Sequence, residues 1–110
     1  MKHKLGLFHG RFQHVHLGHQ KIIDLMLEEC EKGLVLVGNC QAYGTKENPF
    51  DILTRLDLLK TIYKGQKNLT IGFFPDIKGI PKTKKEYSKW GDWIIRFSQH
   101  YAGRTPEIVY

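Results

Sequence analysis

The sequence holds little of what marks a specialised protein class. It has two cysteines, Cys30 and Cys40, without a CxxC spacing, so it suggests neither a disulfide scaffold nor a zinc site. They read as reduced thiols serving as small apolar fillers. No apolar run approaches the ~20 residues of a membrane helix. Met1-Lys2-His3-Lys4 before one short apolar stretch is no signal peptide. The expectation is a cytoplasmic protein with no membrane partner. Internal repeats and low-complexity tracts are absent. Acidic residues are scarce, 11 against 17 Lys and Arg, for a net charge of +6. That surplus points to an anionic partner: a nucleotide, a nucleic acid, a phosphate ester or an acidic surface. The basic residues are scattered rather than striped along one helix, and no aromatic platform alternates with them, which argues against nucleic acid.

What is present fits one small globular domain over residues 1–110, 41% hydrophobic and 25% charged. Short apolar runs alternate with helical spacing. Leu5 to Phe8 reads as a strand. Leu17 to Glu31 reads as a helix with Ile22, Ile23, Met26, Leu27 and Cys30 on one face. Gly33 is expected to punctuate before Leu34 to Val37, an apolar strand of the kind buried on both sides of a parallel sheet. Asn48-Pro49 is the expected start of a second helix carrying Ile52, Leu56, Leu59 and Tyr63. Leu69 to Phe74 reads as a strand, and Pro75 to Glu86 as a basic loop with Lys78, Lys82, Lys84 and Lys85. A third helix is expected over Tyr87 to Tyr101, with Trp93, Ile94 and Phe97 as core, and a fourth strand over Glu107 to Tyr110.

This βαβαβαβ order predicts an α/β, Rossmann-like parallel sheet with helices on both faces. Ligands of such sheets bind beyond the carboxyl ends of the strands. The chain stops inside its last strand with no helix after it, so the expectation is a domain truncated at its C-terminus or covered there by a partner; a complete minimal four-strand domain is the plainer alternative.

The stretch after the first strand carries the chemistry: Gly10-Arg11-Phe12-Gln13-His14-Val15-His16-Leu17-Gly18-His19. His16 and His19, three apart at a helix start, share a face. A helix N-terminus adds unpaired N–H groups and partial positive charge, which suit a phosphate. Two imidazoles there can donate to phosphate oxygens as charge builds during phosphoryl transfer. Gly18 lets a ligand approach the backbone, Gly10 permits a tight turn, and Arg11 offers a bidentate fork. His14, His16 and His19 could instead hold a metal, but no acidic or cysteine ligand lies close in sequence.

His16-Leu17-Gly18-His19 matches the HxGH signature of the nucleotidyltransferase superfamily. The extended Gly10-Arg11-Phe12-Gln13-x-x-His16-x-Gly18-His19 resembles the archaeal-type nicotinamide-mononucleotide adenylyltransferases. Asn39-Cys40-Gln41 resembles that family's Ser-Ala-Gln, Asn48-Pro49-Phe50 with Arg55 its NPFxxxER segment, and Pro75-Asp76-Ile77 with Trp90 its PDI and W-V segments. The chain departs from the pattern at His14, where proline is usual, and at Thr54, where glutamate is usual. It also ends before the family's Ser-Gly-Asn loop and ISxTxxR motif.

The resemblance implies the HxGH nucleotidyltransferase fold and transfer of an adenylyl group from ATP to nicotinamide mononucleotide, giving NAD and pyrophosphate. It implies a catalytic set of His16, His19 and Arg11, and nucleotide-binding positions at Phe8, His9, Gly10, Phe12, Gln13 and Gly18. Gln41, Asp76 and Trp90 would meet the acceptor, Trp90 by stacking. Each of those three also fits a plainer role: Gln41 as a loop residue, Asp76 as a turn cap, Trp90 as core. Magnesium would ride mainly on the ATP phosphates, with no protein metal site. A cytidylyltransferase or another relative with a different acceptor, a non-catalytic nucleotide-binding half-domain and a homo-oligomer all stay open.

Overall fold

The structure is a computed structural model that describes residues 2–13, 15–41, 43–46, 48–75 and 83–110, with Glu86 and Tyr87 as backbone only. His14, Asp76, Lys78 and Lys82 lie outside the described residues. The elements run β1 (His3–Gly10), α1 (Leu17–Glu29), β2 (Cys30–Val37), α2 (Ile52–Ile62), β3 (Leu69–Phe73), α3 (Lys84–Ala102) and β4 (Ile108–Val109). The strands form one sheet in the order β3-β2-β1-β4, and each pairing is parallel. The Rossmann-like α/β expectation therefore holds. The chain winds outward from β1 to β2 and β3, then returns to the other side of β1. That reversal makes the carboxyl end of β1, at Gly10, the switch point where such sheets bind ligands.

Strand alternation sends successive side chains to opposite faces. Phe8, Val35 and Val37 pack with Ile23 and Met26 of α1 and with Leu56 and Leu59 of α2. Leu5, Leu7, Leu34 and Leu36 pack with Phe74 and with Ile94, Trp90, Trp93 and Phe97 of α3. Two helices thus cover one face and the third covers the other. No helix among the described residues is long and apolar enough to cross a membrane.

Several boundaries differ from the sequence reading. Gly33 does not punctuate, and Cys30 is not helical. Cys30 is the C-cap of α1, its N–H bonded to the Met26 carbonyl, and it already begins β2. Gly33 lies inside that strand, paired with Gly6 of β1. The physical reason is Met26: its side chain lies in the trough over both glycines, and a Cβ on either would come within 2.8 Å of it. Ile22 is surface-exposed, one step round the helix from the buried Ile23. Met26→Ala, which empties that trough, is expected to cost about 2–5 kcal/mol. Urea denaturation measures it, and a loss under about 1 kcal/mol would mean that neighbouring side chains fill the trough.

The second helix starts at Ile52 rather than at Asn48-Pro49. Asp51 is the N-cap, its carboxylate accepting the Thr54 N–H at 2.8 Å. That bond, with the Arg55 charge nearby, holds the Asp51 carboxyl below the usual carboxylate range. Asn48 belongs to a preceding turn with Thr45, its N–H on the Thr45 hydroxyl at 2.9 Å. Lys84 and Lys85 fall in α3 rather than in a loop. The fourth strand is two residues long, though the Glu107 and Tyr110 amides extend its bonding to the Leu5 and Leu7 carbonyls.

Candidate active site

Gly10 ends β1, and the chain turns through Arg11, Phe12 and Gln13 before α1. Phe12 sits at φ +51°, left-handed backbone that L residues rarely adopt. The buried Phe12 ring stacks edge-on against Phe8, with centroids 5.4 Å apart. Apolar burial thus stabilises a turn whose backbone is strained. Gln13 is also buried. Its Oε1 accepts the Phe50 N–H at 2.8 Å and its Nε2 reaches Asn48 Oδ1 at 3.5 Å, tying the turn to the segment before α2.

His16 is the N-cap of α1. Its Nδ1 accepts the Gly18 N–H at 3.1 Å, and His19 Nδ1 accepts the His16 N–H at 3.4 Å. The two imidazoles form a capping box in which nitrogens replace the usual oxygens. Their rings stack with centroids 3.8 Å apart and planes 27° apart. Because Nδ1 is the acceptor in each ring, the proton of each neutral ring sits on Nε2. The pair therefore carries two N–H donors on a helix N-terminus. His19 is half-buried against Phe12, centroid to centroid 5.0 Å, and Phe8, 6.2 Å, while His16 is exposed. Gly18 is required by this packing: a Cβ there would lie 2.8 Å from His16 Cε1 and 3.0 Å from its Nδ1.

The next residue along β1, His9, turns to the other face. Its ring meets Trp90 of α3 at 4.9 Å in an edge-on contact. Around them lies a cavity of about 180 Å³ lined also by Leu7, Ile94, Pro106 and Val109. Its wall is apolar apart from the imidazole and the indole. The carboxyl end of β1 thus presents two unlike surfaces, an imidazole pair with outward Nε2 donors on the α1 side and an aromatic-walled hollow on the α3 side.

Among the expected site residues, the structure brings Phe8, Phe12, His16 and His19 into one chain of ring contacts, and His9 and Trp90 into another. Arg11 and Gln41 are exposed on loops after β1 and β2. Among the described residues, no three His, Cys, Asp or Glu side chains are grouped to hold a metal ion.

Two residues gain a place that the sequence reading did not give them. Arg55 of α2 is 1% exposed. Its Nη1 donates to the carbonyls of Arg11 and Gly38, both at 2.9 Å, and its Nη2 to that of Asn39 at 3.0 Å. Asn39, in the turn after β2, is left-handed at φ +52°. The signal for Arg55 was available: it lies three after Ile52 and four before Leu59, a charged residue on an apolar stripe. For Asn39 the residue type is the signal, since asparagine enters left-handed backbone more readily than most other non-glycine residues.

Comparison with known proteins places the chain in a family. The family model described as Cytidylyltransferase-like matches residues 7–102. A nicotinamide-nucleotide adenylyltransferase from Thermococcus sibiricus is 37% identical over 104 residues, covering 94% of this chain and 48% of that protein. One from Saccharolobus solfataricus is 39% identical over 59 residues, covering 54% of this chain and 34% of that protein. The chain spans about half the length, or less, of these relatives. Its fold is also that of a bifunctional NMN adenylyltransferase/ADP ribose pyrophosphatase from Francisella tularensis, solved with AMP and a manganese ion. There the TM-score is 0.70 at 21% identity, over 97% of this chain and 31% of that one.

Proposed function

Because this chain belongs to the cytidylyltransferase-like family, we infer that it binds ATP at the carboxyl end of β1 and transfers the adenylyl group to nicotinamide mononucleotide, releasing pyrophosphate and giving NAD. The observation that carries this reading is the stacked His16–His19 pair, anchored through both Nδ1 atoms at the N-terminus of α1. An anchored ring gives up little freedom when a phosphate docks. Its donor is already aimed when charge develops, the condition under which such donors contribute most.

In this mechanism the mononucleotide phosphate attacks the α-phosphorus of ATP in line, and pyrophosphate leaves from the far side. His16 and His19 donate from Nε2 to the phosphate oxygens, and Arg11 holds a substrate phosphate through its fork. The nucleotide lies along the Phe8 to Gly10 backbone and over Gly18. Phe12 and Gln13 serve it through the turn they hold, since both side chains are buried. The half-buried Trp90, on the wall of the apolar hollow, offers a stacking face to the nicotinamide ring. Gln41 and Asp76 are the polar candidates for the rest of the acceptor. When bound, a divalent ion such as Mg2+ would neutralise charge on the polyphosphate. The names of the archaeal relatives support the choice of acceptor.

The test is a thermal-shift panel with ATP, CTP, nicotinamide mononucleotide and NAD, each with magnesium, followed by an assay for NAD formation. A rise in Tm with ATP and NAD but not CTP is expected; ligand at 100 times its Kd adds about 2.7 kcal/mol of stability. A rise with CTP alone would redirect the reading to cytidylyl transfer. No shift with any nucleotide would overturn it.

A further inference from the structure

Two turns frame the carboxyl end of the central strands, and both contain a non-glycine residue in left-handed backbone: Phe12 after β1 and Asn39 after β2. Such backbone costs a bulky residue like Phe12 more than it costs asparagine, and in both it is held by what surrounds it. Phe12 has its buried ring to hold it. Asn39 is half-buried and lies next to the exposed end of the sheet. What the two turns share is Arg55. One guanidinium nitrogen bridges the carbonyl just before Phe12, that of Arg11, and the carbonyl just before Asn39, that of Gly38; the other takes the Asn39 carbonyl itself. Nε adds a bond to the Asp51 carbonyl at 3.3 Å, fixing the side chain to the first turn of its own helix. We propose that Arg55 is a positioning residue that locks the β1 and β2 turns into one rigid rim and so sets the place of Arg11 and the entry to α1.

The planar fork is what makes this work. Three carbonyl oxygens at 2.9–3.0 Å lie around two nitrogens of one rigid group. A lysine ammonium presents its donors from a point and cannot span them in the same way. Buried carbonyls left without donors would turn toward water and carry their turns with them. Two backbone bonds report the state of the rim without any ligand: the Gly38 N–H on the Gly10 carbonyl at 2.7 Å, and the Cys40 N–H on the Phe74 carbonyl at 3.2 Å. The proposal rests on the reading of this rim as the nucleotide site, but the rim itself can be measured in the free protein.

The experiment compares wild type with Arg55→Lys, by amide hydrogen exchange on the free chain and by ATP affinity in the presence of magnesium. Exchange at Gly38 and Cys40 is expected to quicken about tenfold or more, with Val35 in the middle of β2 much less affected. ATP affinity per folded molecule is expected to fall about tenfold. Asn39→Gly added to Arg55→Lys is expected to restore much of that affinity, because glycine holds left-handed backbone without a clamp. A residue that only stabilises the core would speed exchange evenly and would not be rescued at position 39. Uniform exchange, unchanged affinity or no rescue would each overturn the proposal. If Arg55→Lys does not fold, exchange in the wild-type chain decides the matter: a locked rim predicts Gly38 and Cys40 protected nearly as well as Val35, and exchange there at the rate of an open loop overturns the proposal. Should wild type bind no nucleotide, the functional reading fails while the exchange pattern still judges the clamp.

Discussion

The His19→Asn variant is expected to form NAD about 100-fold more slowly than wild type, with little change in Tm. Asparagine keeps an acceptor where His19 Nδ1 takes the His16 N–H, so one half of the capping box survives. It removes the Nε2 donor. It also trims a ring that touches Phe8 and Phe12, at a small packing cost. The measurement is initial rate at saturating ATP and nicotinamide mononucleotide beside a thermal melt. A loss confined to kcat marks a donor acting in the transition state, whereas a loss confined to KM marks ground-state binding. A wild-type rate in this variant would remove His19 from the chemistry.

Gly18→Ala is expected to cost a comparable factor by a different route. The added methyl would lie 2.8 Å from His16 Cε1, closer than carbon atoms approach. His16 is exposed, so its ring can swing away at little cost to the fold. Doing so breaks the Gly18 N–H bond and the stack on His19 together. The N-cap loss is about 1 kcal/mol of stability, while removal of one aimed donor costs about 100-fold in rate. Kinetics and chemical denaturation on one preparation separate the two quantities. If stability collapses while the rate per folded molecule holds, Gly18 serves only the helix. If both stay at wild-type level, the imidazole is aimed by something other than its cap.

Both expectations concern a motif that is local in sequence, and local motifs were the legible part of this chain. The alternation of apolar runs was enough for a parallel sheet with helices on both faces, because strand and helix periods differ and each declares its buried side. The pairing of His16 with His19 could also be read, since helical spacing brings residues three apart onto one face. The helix and strand ends were less legible. Asn48-Pro49 has the chemistry of a helix start, as does Asp51, and the outcome turned on Thr45 and Gln13 engaging Asn48 in another turn. Gly33 has the chemistry of a break, and whether it breaks depends on a methionine seven residues back needing the space above it.

What the sequence determined by itself is therefore the layered α/β architecture, the helix that begins at the HxGH stretch, and the imidazole pair at its cap. All of these arise among neighbours within a few residues, where the backbone leaves few alternatives. The tertiary structure alone decided that His9 and Trp90 meet on the far side of the sheet from that pair, and that Arg55 holds carbonyls 44, 17 and 16 residues away. The physical reason is register. Which carbonyls face a buried guanidinium is set by how β1 and β2 align and how α2 lies across them. That alignment is a property of the packed sheet and is written in no single segment of the chain.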